Sequence, residues 1–106
     1  MQNEYGERVD RNGYAPSIIN QPENACAICY RTDRPLQRHE IFHGAYRRKS
    51  KQFGLWLNIC DFCHAEVHQG HNGLDAQLKA MGQEAAEIYY GWDDDDFRLI
   101  FGRSRK

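Results

Sequence analysis

The sequence predicts an α+β fold: strand, strand and helix in the middle of the chain, two packing helices after them, and a flexible arm before. Three observations predict it. Two C-x2-C pairs, Cys26/Cys29 and Cys60/Cys63, bracket the middle segment. Two compact runs, LQRHEIF (36–42) and GLWLNIC (54–60), have the patterning and boundaries of short strands. Leu74, Leu78, Met81, Ala85, Ile88 and Tyr89 recur at steps of three and four, which is one face of a helix.

Taken in order, residues 1–24 are polar, contain Gly6, Gly13, Pro16 and Pro22, and show no sustained period. They read as a disordered or loosely packed arm, with Ile18 and Ile19 able to pin it. Residues 25–35 form a tight cysteine turn. The first strand (36–42) is followed by a basic loop (43–53) and the second strand (54–60). Residues 61–69, DFCHAEVHQ, suit a helix with Asp61 as its cap, broken by GHNG at 70–73. The long helix at 74–90 ends at Gly91. Asp93 to Asp96 then open a short helix, where carboxylates complement the helix dipole, with Phe97, Ile100 and Phe101 on one side. Residues 103–106, RSRK, read as a loose basic tail. The expected organisation is arm 1–24, one domain 25–102 and tail 103–106.

A chain of 106 residues supports one domain. A domain this small buries little core and often needs disulfides, metal or association as a supplement. No apolar run approaches the roughly 18–20 residues of a membrane span, and the N-terminus, MQNEYGERVD, lacks the apolar stretch of a signal peptide. A cytoplasmic location without membrane contact is the expectation. In a reducing compartment four cysteines are not structural disulfides. Each C-x2-C turn places two sulfurs on one side of a bend, and two such turns complete a tetrahedral sulfur shell, which suits zinc. No position is left open, so Cys26, Cys29, Cys60 and Cys63 are expected to hold one structural Zn2+ whose binding energy is folding energy. The plainer alternative, four unrelated buried thiols, does not account for the paired spacing.

The net charge of −1 hides a gradient. Residues 1–24 carry two basic and four acidic side chains, net −2; residues 25–72 carry seven and four, net +3; residues 73–106 carry five and seven, net −2. The densest basic run is Arg47, Arg48, Lys49 and Lys51. It reads either as a solvated loop or as a holder of phosphates. Four of the five histidines, His39, His43, His64 and His68, lie in or beside the segment that the cysteines enclose. His64 and His68 are four apart on the expected helix and share a face, a common way to present two imidazoles to one ion. His64 and Cys63 point about 100° apart, so one helix can face zinc on one side and a second ion on the other. His43 and His71 read more simply as surface histidines.

At C-A-I-C (26–29), R-H-E-I-F (38–42), R-R-K-S (47–50), F-G-L-W-L (53–57) and C-D-F-C-H-A-E-V-H (60–68) the sequence resembles the HNH endonucleases, the ββα-metal nucleases. It looks most like a small phage-encoded branch with a four-cysteine zinc site, which L-K-A-M-G-Q (78–83) and F-R-L-I-F-G (97–102) also resemble. The resemblance covers residues 25–102. It implies a zinc-stabilised ββα core that clamps one catalytic divalent cation (Mg2+, Mn2+ or Ni2+), with His64 and His68 as ligands. The family places a ligand and then a base at the end of the first strand. With His39-Glu40, either His39 is the ligand and Glu40 the base, or His39 is the base and Arg38 falls in the ligand position. An imidazole pKa near ~6.5 favours His39 as the base. Gly54 stands where the family has a loop-pinning asparagine, so that hydrogen bond is absent or made by another group. The implied activity is hydrolysis of DNA phosphodiester bonds by a monomer or homodimer in phage DNA metabolism or recombination, in the host cytoplasm if the chain is phage-encoded. Arg47, Arg48, Lys49 and Lys51 would contact backbone phosphates without reading bases. The alternative is a catalytically inactive HNH-like zinc module that binds nucleic acid.

Overall fold

The structure is a computed structural model that describes residues 1–70 and 73–106; the expectation for His71 lies outside the described residues. Strand β1 (Leu36–Glu40) pairs antiparallel with β2 (Trp56–Cys60), with Leu36 opposite Cys60 and Glu40 opposite Trp56. Between them lie a 3-10 turn (Gly44–Tyr46) and helix α1 (Arg47–Gln52). Helix α2 (Asp61–Gln69) follows β2 without a break, and α3 (Leu74–Tyr90) and α4 (Asp94–Phe101) complete the chain. The architecture is a small α+β unit with a two-stranded sheet and four α-helices. No helix among the described residues is long and apolar enough to cross a membrane.

Two expected elements differ from the observed ones. The basic loop is largely helical, because Arg, Lys and Gln are good helix formers and nothing within 47–52 interrupts them. The cap of α2 is Cys60 rather than Asp61: the Cys60 sulfur accepts from the Cys63 N–H at 3.4 Å, and Asp61 occupies the first turn. Helix α4 starts as expected. Asp93 and Asp96 form a reciprocal capping box, each carboxylate taking the other's backbone N–H at 2.8 and 3.0 Å.

The core lies between the sheet and α3/α4. Phe97 and Phe101 stack at 4.9 Å, and Phe42 packs on Phe101 at 4.6 Å, all three buried. Helix α3 meets this core through Leu78, Gly82, Gln83 and Ala86. A Cβ at position 82 would come within 2.9 Å of the Ile41 side chain, so a glycine sets how closely α3 can approach. That close approach rotates the buried face of α3 onto its small residues. Ile88 and Tyr89, expected on that face, are 77% and 65% exposed.

The N-terminal arm is docked along the domain, contrary to its polar composition. A two-stranded sheet leaves the outer edge of β2 unpaired, and those backbone groups need partners. The Trp56 carbonyl accepts from the Ser17 hydroxyl at 2.6 Å, and the Asn58 N–H donates to Gln21 Oε1 at 2.8 Å. Further along, Ala15 N–H donates to the Lys51 carbonyl and Ile18 N–H to the Gly54 carbonyl. The tail is also tied down: the Arg105 N–H donates to Oε1 of the fully buried Gln83.

Gly54 sits at φ +69°, and a Cβ there would collide with the Pro16 carbonyl oxygen of the arm. Gly44 sits at φ +66° with open space around it. Urea unfolding should therefore separate the two positions. Gly44→Ala is expected to cost about 1–2 kcal/mol of left-handed backbone strain, and Gly54→Ala a further ~1–3 kcal/mol from overpacking. Equal losses at both positions would refute the collision with the arm.

Candidate metal centres

The four cysteines converge. The knuckle at 26–29 precedes β1, Cys60 ends β2 and Cys63 lies in the first turn of α2. Their sulfurs all lie within 4.8 Å of one another, and none is in a disulfide. Such a set could hold a structural metal such as zinc, as four soft donors in one cluster favour. The backbone prepares it. Cys26 Sγ accepts from the N–H groups of Ile28 and Cys29, each at 3.4 Å. Burial raises the Cys26 pKa, but these N–H donors lower it more, and the thiol ends at about 6. Burial and the neighbouring thiols instead push Cys63 up. One sulfur is thus ready to ionise at neutral pH, while the set as a whole gives up its protons only against a positive charge.

A second cluster lies on the other flank of α2. His39, His64 and His68 bring ring nitrogens within 4.8 Å of one another. The three side chains arrive from two directions. Gln37 and His39 share one face of β1 by strand alternation, and His64 and His68 stack one turn apart on α2. The Gln37 amide oxygen lies 2.6 Å from His64 Nδ1, so that nitrogen carries the proton and His64 Nε2 presents its lone pair. His64 Nε2 faces His68 Nε2 at 2.9 Å. His39 is 2% exposed, and its Nε2 is buried without a hydrogen-bond partner. One unpartnered ring nitrogen, on His39, thus lies beside two, on His64 and His68, that face each other, and the set could hold a cation. Burial, with the charges of His64, His68 and His43 behind it, holds His39 down to about 4, so its ring is neutral near pH 7.

Glu40 and Arg38 do not join this cluster. They lie on the opposite face of β1. The Glu40 carboxylate accepts from Tyr14 OH and Arg47 Nε, both at 2.7 Å. Burial raises the Glu40 pKa, but the Arg47 and Tyr14 hydrogen bonds outweigh it and hold the carboxyl below its ordinary value. Arg38 lies over the rings of Tyr14 and Trp56, at 4.4 and 4.6 Å. In the register that makes His39 a ligand, the base position is therefore filled by a carboxylate already committed to two donors.

The basic run is not one patch. Arg47 is bound to Glu40, Lys49 Nζ donates to the Ile100 carbonyl at 2.8 Å, and Lys51 lies over the Tyr14 ring at 4.6 Å. Arg48 lines a separate recess with Lys51 and Glu4. Two groups escaped the sequence reading. His43, expected as a plain surface residue, holds Asp75 at 3.0 Å, and its ring lies 5.9 Å from His68 and 6.1 Å from His39. Ser50, fully buried, accepts from the Phe42 N–H and donates to the Leu55 carbonyl, at 3.1 and 2.5 Å. It clamps the two ends of the β1–β2 connection. No local pattern announces either group, since both act on partners brought close by the fold.

No protein-family model, curated protein or solved structure matches the chain.

Protein purified without chelator is expected to carry about one zinc per chain by elemental analysis, and Cys60→Ser to lose cooperative unfolding. A cooperative fold with no bound metal would rule out the cysteine site. The depressed pKa of His39 gives a second expectation. Between about pH 4 and the unfolded value near ~6.5 the unfolded chain binds the extra proton, so stability falls as pH drops through that window and is unaffected above it. His39→Phe should flatten this part of the pH–stability curve relative to wild type; parallel curves would refute the burial of a neutral imidazole.

Proposed function

We propose that this chain is a metal-dependent HNH-type endonuclease that hydrolyses DNA phosphodiester bonds. The observation that carries the reading is the convergence of His39, His64 and His68 on a strand, strand and helix frame, with His39 Nε2 buried and unpartnered. The order strand, strand, helix and the grouping of His39, His64 and His68 support the reading, while Glu40 and Arg38 stand outside the group. A divalent cation held by His64 and His68, when bound, supplies Lewis acidity at a phosphate oxygen.

The remaining work falls to the chain itself. Gln37 fixes the His64 tautomer, so that Nε2 is the free nitrogen. His39 stays neutral in its buried setting, which leaves it free to complete the ligand set; with its pKa held down to about 4 it is no stronger a base than a carboxylate, so the ordinary imidazole pKa that favoured it as the base does not hold here. Ser50 takes the part that an asparagine near position 54 would play, holding the loop after β1 against the start of β2. Gly54 then follows from packing rather than from loss of function, because a side chain there has no room beside Pro16.

One observation favours a second reading, a catalytically inactive zinc module that binds nucleic acid: Glu40 is tied to Tyr14 and Arg47 and is unavailable as a base. Plasmid nicking with Mg2+, Mn2+ or Ni2+ separates the two. Wild type is expected to nick with at least one metal. His39→Ala and the exposed-site variant His68→Ala, checked for retained zinc and fold, are expected to lose about 10²-fold or more. Equal cleavage by wild type and both variants under every metal would reject the nuclease; DNA binding without cleavage would establish the inactive module.

A further inference from the structure

Neither the cysteine nor the histidine cluster uses a recess that gathers four cationic side chains. It is a cavity of about 330 Å3 lined by Asp75 and Lys79 of α3 and by all four residues of the C-terminal tail, 103–106. The tail is built into place. Gln83, fully buried, accepts from the Arg105 N–H, and its amide donates to the Ser104 hydroxyl at 3.3 Å. The Arg105 guanidinium lies 5.4 Å from the Phe42 ring and 5.9 Å from the Tyr46 ring. Lys106 pairs with Glu87 at 2.6 Å.

The positive charge here is unevenly answered. The carboxylates of Glu87, Asp94 and Glu84 act on Lys106, whereas Asp75 is shared between Lys79 at 2.9 Å and His43 at 3.0 Å. Arg105 Nε is buried without a hydrogen-bond partner, and Arg103 makes no ion pair among the described residues. Burial and the neighbouring Arg103 charge both weaken the hold of Arg105 on its proton. An anion in this cavity would relieve that repulsion.

We propose that the cavity is a phosphate subsite for the DNA strand, taking a backbone phosphate a few positions along the same strand from the one at the histidine cluster. The proposal rests on the nuclease reading for its ligand. Continuity argues for a strand rather than a free anion. From the His39/His68 rings the path runs about 6 Å to His43, then 3.0 Å to Asp75 and on to Lys79. A duplex strand carries a phosphate every ~3.4 Å of helix axis, so a strand that lies over the histidines and follows this run of contacts would meet the recess with a phosphate a few positions along. The cations of α1 offer less, since Arg47 and Lys49 are each committed within the fold.

The test is fluorescence anisotropy of a labelled DNA duplex bound to the full zinc-containing chain, with no added divalent cation, over a series of salt concentrations. Arg103 is exposed, so Arg103→Ala leaves the fold intact. It is expected to weaken binding about 3–10-fold regardless of sequence and to reduce the salt slope by about 0.9, one phosphate contact. Adding Lys79→Gln should lower both further, while Arg98→Ala, a cation of α4 outside the cavity, should change neither. A wild-type slope in the Arg103→Ala and double variants, or no duplex binding by wild type, overturns the proposal. So does an unchanged DNA slope accompanied by loss of thermal stabilisation by inorganic phosphate, which marks a free-anion site. Failure of the nuclease reading is distinct: it shows as Arg103-dependent binding with no cleavage under any metal.

Discussion

The convergence of four sulfurs from two distant turns sets the position of nearly everything else. Cys26 and Cys29 belong to the knuckle before β1, Cys60 is the last residue of β2, and Cys63 lies in the first turn of α2. Bringing them together fixes the start of α2 against the end of the sheet. It also fixes the rotation of α2 about its own axis. With Cys63 turned inward, His64 points about 100° away and His68 follows one turn later. That flank faces β1, where His39 lies. The histidine geometry is thus a consequence of the sulfur geometry, carried by one nine-residue helix.

A sheet of two strands is marginal by itself, and the chain closes it from outside. The arm and the knuckle satisfy the open edge of β2: Ser17 and Gln21 serve Trp56 and Asn58, and the Ala27 N–H donates to the Asn58 carbonyl at 2.9 Å. Ser50 does the same for the connection between the strands, where an unpaired buried N–H or carbonyl would cost ~1–3 kcal/mol. At the other end of the molecule Gln83 gathers α3, the start of α4 and the tail through one buried amide. Three polar side chains, Gln21, Ser50 and Gln83, therefore hold elements together that a larger protein would join by apolar packing.

What could be read in the sequence was what is local. The span 61–69 coincides with α2, and 74–90 with α3, because caps, glycines and apolar spacing act within a turn or two. The paired cysteines announced their own clustering, and the His64/His68 spacing announced a shared helix face. Two misreadings are local, the helix at Arg47–Gln52 and the Cys60 cap of α2, and the others are long-range. Glu40 next to His39 looked like part of the site, yet strand alternation sends it to Tyr14, 26 residues away in sequence. His43 looked plain because its partner Asp75 is 32 residues on. The arm looked loose because its hydrogen bonds are made to β2, and composition carries no record of an open sheet edge. Ile88 and Tyr89 fit the helical period, but Gly82 rather than the apolar residues decides where α3 comes closest to the core.

The docking of the arm also gives the protein two separate optical reporters. Trp56 bonds the Ala15 carbonyl through its indole N–H at 2.7 Å and carries the Arg38 guanidinium over its ring. Trp92 stacks on Tyr90 at 4.9 Å and packs edge-on against Phe53 at 5.1 Å, between α3 and α4. These are the chain's two tryptophans. Detachment of the arm would expose Trp56 and break its bond to the Ala15 carbonyl while leaving Arg38 and Trp92 in place, and melting of the helical end would do the reverse. Emission from single-tryptophan variants would thus resolve the two ends of the molecule independently, with no dye attached.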